Sequence, residues 1–233
     1  MVAVLVNSVA VLVGSFIGIF FKKGISEKLQ NAIIKAMGLI TLLVAVQSAI
    51  KSEDTLCVII CLVLGTLLGE IIRIDDGLNN AGDYIKVKVF KGKDGSTSRF
   101  TEGFVITSIQ FCVGSMTILG SMQAGINHDY SIIFTKSVMD FVTSIVFGAA
   151  FGYGVTCTAL FVLVFQGALT LAASGLSGIL TDNIVVEMTA VGGVILIGMG
   201  FNILELGKTP IKVANMLPAI FLPPLYIGIV SLF

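Results

Sequence analysis

The sequence predicts an all-α bundle of about eight membrane-spanning helices. Three observations carry that expectation. Hydrophobic residues make up 56% of the chain and charged residues 12%, about half the charged share of an ordinary soluble domain. The apolar residues fall into eight blocks, each near the length of about 20 residues that a helix needs to cross a bilayer. The basic residues then fall almost wholly on alternate connections between those blocks, as they do in polytopic membrane proteins.

The first helix is expected over 2–21. Asn7 and Ser8 are its only clear polar interruptions before Lys22 and Lys23. No basic stretch precedes it, so it reads as a span and not as a cleavable signal. Helices two and three, at 33–50 and 55–72, flank the polar turn Lys51-Ser52-Glu53-Asp54. Helix four covers 103–122, and Asn127-His128-Asp129-Tyr130 separates it from helix five at 132–153. The apolar run from Phe141 to Ala173 is too long for one crossing. Gly152-Tyr153-Gly154 is therefore read as a turn into helix six at 155–174. Residues 174–182 lead to helix seven at 184–206. Helix eight, 213–232, contains Pro218, Pro223 and Pro224 and is expected to be kinked.

The connections after helices one, three and seven carry Lys22, Lys23, Lys28, Arg73, Lys86, Lys88, Lys91, Lys93, Arg99, Lys208 and Lys212. These eleven lie on one side of an eight-helix arrangement, and Lys51 alone lies on the other. Basic residues stay cytoplasmic, which places both termini outside. No other window is polar enough for a second domain, so 1–233 reads as a single transmembrane domain with a small polar cytoplasmic loop at 74–101. Within that loop, Tyr84 to Lys91 alternates before Gly92 and Asp94-Gly95, the pattern of a small hairpin. A solvated, topology-setting connector is the plainer reading, and attraction to anionic lipid headgroups suits either. Helices two, four and six each end near a glutamine followed by small residues (Gln47, Gln123, Gln166), a faint sign of internal repetition.

Several function classes drop out. The net charge is zero, so nothing favours a nucleic-acid partner. Cys57, Cys61, Cys112 and Cys157 all sit in apolar segments, where cysteine packs as a small hydrophobe. Cys57 and Cys61 share a helix face, yet no other clustered ligand accompanies them, so no metal site or cofactor is expected. Gly175-Leu-Ser177-Gly178 matches the Gly-x-Ser-Gly of rhomboid proteases, but a serine nucleophile needs a base. The single histidine, His128, lies in a loop. No phosphate loop and no His-Glu-x-x-His is present, and the chain does not read as an enzyme.

Polar groups inside a membrane are expensive and are the natural functional candidates. Lys136, Asp140 and Ser144 lie four apart on one face of helix five, continued by Gly148 and Gly152. Asp140 is expected to face the protein interior. An ion or solute path through Asp140 is one reading, and a self-neutralising ion pair that orients the helix is the other. On helix four, Gln110, Gly114, Thr117 and Ser121 share a face. The pairs Gly114-Ser115 and Gly120-Ser121 predict a break there, because such pairs kink helices and a broken helix frees backbone groups for ion binding. A tightly packed helix is the plainer alternative. Gln166 sits in the middle of helix six. Glu70, Glu187, Asn202 and Glu205 lie near helix ends, where a structural role is the simpler reading. Gly14-xxx-Gly18, Gly65-xxx-Gly69 and Gly148-xxx-Gly152 are close-packing motifs, suited to the bundle interior or to a homo-oligomer.

A set of strings along the whole chain resembles one family. They are Asn7 with Val13-Gly-Ser-Phe-Ile-Gly18, Leu64-Gly-Thr-Leu-Leu-Gly-Glu70, Phe104, and Phe111-Cys-Val-Gly-Ser-Met-Thr-Ile-Leu-Gly-Ser121. Lys136-Ser-Val-Met-Asp140, Gln166-Gly-Ala, Gly192-Gly193, Gly198-Met-Gly-Phe-Asn202 and Lys212-Val-Ala-Asn-Met-Leu-Pro218 complete the set. In this order they resemble the DUF554 family of prokaryotic membrane proteins. The resemblance implies an integral protein of an inner membrane and brings no activity with it. The residues themselves point to passage of a small ion or solute across the bilayer. The alternative is a non-transporting scaffold or assembly partner that uses its glycine faces and basic loop.

Overall fold

In a computed structural model, residues 1–22, 26–90, 99–176 and 181–231 are described. Among them the chain is all helical: α1 Val2–Lys22, α2 Glu27–Ala49, α3 Thr55–Ile72, α4 Ile74–Phe90, α5 Phe100–Cys112, α6 Ser115–Ile126, α7 Ser131–Phe151, α8 Tyr153–Leu176 and α9 Asp182–Ile203, then a 3-10 helix Val213–Phe221 and α10 Pro223–Val230. Helices α1, α2, α3, α7, α8 and α9 are each long and apolar enough to cross a membrane. The pair α5–α6 and the pair 3-10–α10 bring the number to eight if each pair is one span. Large apolar side chains stand bare on the outside, among them Phe20 at 75% and Ile71 at 78% exposure. In water such a surface would be an aggregation hazard, whereas in lipid it is the contact surface.

Both expected irregularities are present. The fourth span breaks at Val113-Gly114, and its two helices differ in direction by 57°. The second pair, Gly120-Ser121, causes no break, since α6 runs through it. The last span bends by 40° where Pro223 opens α10. Its first part is a 3-10 helix with Pro218 inside, because proline can donate no backbone hydrogen bond there.

The polar loop needs correction. Residues 74–90, expected as part of a loop with a hairpin beginning at Tyr84, form helix α4, and the hairpin's remaining positions, 91–98, lie outside the described residues. Helical spacing decides this. Ile74, Leu78, Gly82 and Ile85 recur every three or four residues and are partly or fully buried, while Gly77, Asn80, Asp83 and Val87 are exposed. Asp75 and Asp76 occupy the first turn, where carboxylates meet the positive end of the helix dipole. Arg73, left-handed at φ 60°, makes the corner from α3, and its side chain pairs with Asp76 at 2.7 Å. Helix α2 also starts earlier than expected, at Glu27.

The chain divides into two compact units. The first, Met1–Ala36, Gly77–Cys112 and Met116–Ser174, is built on α1 lying against α7. A Cβ on Gly14 would sit 2.5 Å from the Phe141 carbonyl oxygen, on Gly18 2.1 Å from that of Ile145, and on Gly148 2.6 Å from that of Ser15. Only glycine allows the two backbones to touch in this way. Helix α8 is tied to this pair by hydroxyls: Ser8 donates to the Ala159 carbonyl at 2.7 Å and Ser15 to Thr156 at 3.0 Å. The turn between α7 and α8 is Gly152, at φ 79° and ψ −140°, a conformation that essentially only glycine adopts.

The second unit, Met37–Asp76, Val113–Ser115 and Gly175–Phe233, packs α3 on the 3-10 helix. Gly65 and Gly69 approach the backbone of Ala219 and Asn215. Its central element is α9. Gly193 and Gly200 face Ala45, Ala49 and Leu42 of α2, and Gly198 faces Val213. The glycine motifs at 14–18, 65–69 and 148–152 thus make contacts within the chain.

Candidate functional site

The first unit buries a charged and amide cluster where α1, α7 and α8 meet. Helix α7 presents Lys136 and Asp140 on the face that meets α1, at 5% and 7% exposure. Asp140 stands nine residues after Ser131, about 13 Å along α7 at the helical rise. Lys136 Nζ donates to Asp140 Oδ2. Because Gly14 and Gly18 bring α1 so close, Asn7 reaches the same oxygen. Its Nδ2 donates to Asp140 Oδ2 at 3.1 Å and to Gln166 Oε1 of α8 at 2.8 Å. Asn7 and Gln166 are fully buried. Lys136 Nζ also stands 5.7 Å from the centre of the Phe111 ring, a cation–π contact worth about 1–2 kcal/mol in a dry site.

The arrangement is electrically neutral, one ammonium against one carboxylate, which is what makes burial of either tolerable. It is not saturated with hydrogen bonds. Among the described residues Asn7 Oδ1, Gln166 Nε2 and Ser144 Oγ are buried without a partner. Ser144, one turn beyond Asp140, faces Gly14 of α1. Two amides and a carboxylate therefore converge in the α1–α7–α8 interior, with Ser144 one turn further along α7. Cys112, at the end of α5, lies close enough to feel both charges.

The fourth span supplies the neighbourhood and not the bonds. Asp140 takes its bonds from Asn7 and Lys136, and none of Gln110, Thr117 and Ser121 bonds to it among the described residues. Thr117 instead donates to the Phe111 carbonyl at 2.9 Å, satisfying one of the groups that the break at Val113-Gly114 frees. Gln110 Oε1 and the hydroxyl of Ser121 are buried without a partner among the described residues. Gly114 has open space where a Cβ would stand, while Gly120 packs on Ile132 and Ile133. Ser115 opens α6, and its side chain lies outside the described set.

Sequence reasoning missed Asn7 as a site residue. The signal was present, since asparagine in an apolar span obeys the same rule that singled out Asp140. What it lacked was a partner along its own helix.

Glu187, Glu70 and Asn202 hold the second unit together, while Glu205 is exposed. Glu187, 3% exposed, accepts from Ser52 Oγ at 2.7 Å and from the backbone N–H groups of Glu53 and Asp54 at 2.8 and 3.1 Å. It fixes the α2–α3 turn, while Asp54 caps α3 by accepting from Leu56 and Cys57. Glu70 bonds to Asn215 and lies 3.6 Å from Lys212, and Asn215 Oδ1 accepts from the Asp75 N–H at 2.7 Å. Burial pushes the Asp75 carboxyl up from its usual value. Asn202 braces Ile211 through both backbone groups at 2.8 Å. Cys57 and Cys61 Sγ atoms are 3.9 Å apart, and no group of three metal-ligating side chains occurs among the described residues. Ser177 and Gly178 of the protease-like string lie outside the described residues.

Similarity to known proteins agrees with the fold. The chain is 32% identical over 231 residues to the uncharacterised membrane protein YdfK of Bacillus subtilis, covering 97% of this chain and 96% of the relative. It is 28% identical over 219 residues to the uncharacterised protein YqgA of Escherichia coli, covering 93% and 92%. No solved structure matches it. These similarities and the apolar spans make it a multi-pass membrane protein. The sequence profile of the family described as "Protein of unknown function (DUF554)" matches residues 2–227, and the chain belongs to that family.

Proposed function

We propose that the protein passes a small ion or solute across a prokaryotic inner membrane, with both termini on the outer side. One observation carries this reading: the buried Asn7–Lys136–Asp140–Gln166 cluster inside the bundle, with hydrogen-bonding atoms left unused. A helix that needed only orientation would not require charges and two amides drawn from three helices at such a desolvation cost. Ser144 extends the polar column along α7. Gln110, Thr117 and Ser121 belong to a span whose break at Gly114, between Cys112 and Ser115, offers a place where the backbone can rearrange, as in transporters with discontinuous helices. Gly120 keeps α6 tight against α7 beside it.

Flux into proteoliposomes, measured across a panel of ions and small metabolites, tests the proposal. Asp140→Asn should abolish the flux while the protein remains folded and extractable. Equal flux in wild type and Asp140→Asn would remove the cluster from the path. Absence of flux across the whole panel would favour the scaffold reading.

A further inference from the structure

We propose that the second unit carries a binding groove for an anionic phospholipid, with one acyl chain in the groove and the headgroup phosphate at Lys208. The inference goes beyond the transport reading and does not depend on it.

The groove lies between α3 and α9, wholly within the second unit, and has a volume of about 540 Å³. Both helices pack on the 3-10 helix more than on each other, which leaves the gap. Helical spacing supplies the walls. Leu62, Thr66 and Leu67 line it from α3, and Val194 and Phe201 from α9. The lining is almost entirely apolar, and among the described residues Thr66 brings its only hydroxyl. Leu67 and Phe201 are exposed. They belong both to the rim and to the bare apolar surface that meets lipid, so the groove is continuous with that surface.

Its length selects the occupant. Leu62 and Leu67 stand ten and five residues before Ile72, where α3 ends, about 15 and 8 Å at the helical rise. Val194 and Phe201 stand nine and two residues before Ile203, where α9 ends, about 14 and 3 Å. The groove therefore occupies the last ~15 Å of the two helices, half of a hydrocarbon layer about 30 Å thick. That half is one leaflet. A spanning helix of a second copy would lie along both leaflets, whereas an acyl chain lies along its own.

Charge selects the headgroup. Ile211 also lines the groove and belongs to the exposed connection 205–212. Lys208, three residues away, is at most about 11 Å from it along the chain. Arg73 pairs with Asp76, and Lys212 lies 3.6 Å from Glu70. Lys208 has no ion pair among the described residues, which leaves its ammonium for a phosphate. Glu205, exposed in the same connection, opposes an anion there.

The chain contains no tryptophan, so a single introduced one reports on its own surroundings. Leu67→Trp places it on the rim. Leu160→Trp is the control, exposed on the first unit and seven residues into α8, about 10 Å. Each full-length variant is reconstituted in phosphatidylcholine vesicles with a minor share of phosphatidylglycerol carrying brominated chains, which quench tryptophan on contact. Quenching on the rim should correspond to about fivefold enrichment of the anionic lipid over the control, the order that one lysine near a membrane surface confers. Lys208→Gln should bring the two positions level, and Glu205→Gln should raise the enrichment. Thr66→Phe, which fills the groove, should abolish it with Lys208 intact. Phe201→Trp repeats the measurement from the α9 rim if Leu67→Trp folds poorly. Equal quenching on rim and control by the brominated anionic lipid overturns the inference. So does an enrichment that survives both Lys208→Gln and Thr66→Phe. With bromine on both lipids, a rim tryptophan still shielded relative to the control would put a second copy of the chain in the groove, and would overturn it too.

Discussion

Lys136 has the length to carry its ammonium out of a membrane along its own stem, as lysines near helix ends do, and it does not. It stays 5% exposed, held by Asp140 and by the Phe111 ring. The choice has an energetic sign that can be measured. Removing one partner of a buried ion pair leaves the other uncompensated and costs about 3–5 kcal/mol, whereas removing both is far less damaging. Lys136→Ala and Asp140→Ala should therefore each lower the thermal unfolding midpoint sharply in detergent. The double variant should be much more stable than the sum of the two losses predicts. Additive losses in that double-mutant cycle would show that the pair is not energetically coupled. Asn7→Ala should be milder, about 1 kcal/mol, because interhelical hydrogen bonds inside membranes are individually modest. Lys136 and Asp140 were legible in the sequence because both lie on one helix at a four-residue spacing. Their link to Asn7 and Gln166 was not, since it depends on which helix glycines bring into contact, and sequence spacing along one helix carries no such information.

Two glycines placed at helix breaks behave differently, and the difference follows from the backbone. Gly152, between α7 and α8, sits at φ 79° and ψ −140°, where a side chain is strained by about 1–3 kcal/mol. Gly114, between α5 and α6, has no neighbour among the described residues within 4 Å of where a Cβ would stand. Gly152→Ala should lower the unfolding midpoint, and Gly114→Ala should leave it nearly unchanged. If the Gly114 break must rearrange during passage, Gly114→Ala should still reduce flux. The comparison of midpoint with flux separates a structural hinge from a working one. Equal loss of stability in both variants would contradict the geometry. The spans themselves were readable from apolar run length, which is why α1, α3, α7 and α9 begin within two residues of expectation. Helix α4 was not, because the alternation read from Tyr84 to Lys91 competes locally with a helical spacing that only emerges from Ile74 onward. The break at Val113-Gly114 was readable because a Gly-Ser pair weakens a helix by itself. The second pair failed to act because Gly120 is clamped on Ile132 and Ile133.

We propose the orientation of the whole chain from charge and not from packing. Lys22, Lys28, Arg73, Lys86, Lys88, Arg99, Lys208 and Lys212 all border connections that an eight-span path places on one side, while Lys51 borders the other. Helix α4 strengthens this argument. A helix of mixed polarity with Lys86 and Lys88 near its end, and Val87 and Lys88 exposed, suits the interface of a membrane whose inner leaflet is anionic. Moving that helix to the outer side would carry its lysines and Arg99 across the membrane against the positive-inside bias. The native cysteines Cys57, Cys61, Cys112 and Cys157 complicate labelling, so a background with all four replaced by alanine or serine is needed. In that background a single cysteine at Lys88 and a single cysteine at Asn127 should react from opposite sides of intact cells or oriented vesicles. A membrane-impermeant maleimide added outside should modify Asn127→Cys and spare Lys88→Cys until the membrane is permeabilised. The count of spans is tested by the same pair. Among the described residues, positions 88 and 127 are separated by the bent α5–α6 pair, so they lie on opposite sides only if that pair crosses the bilayer once. Modification of both from outside would make α5–α6 a re-entrant loop, reduce the spans, and reverse the predicted side of every connection that precedes α5.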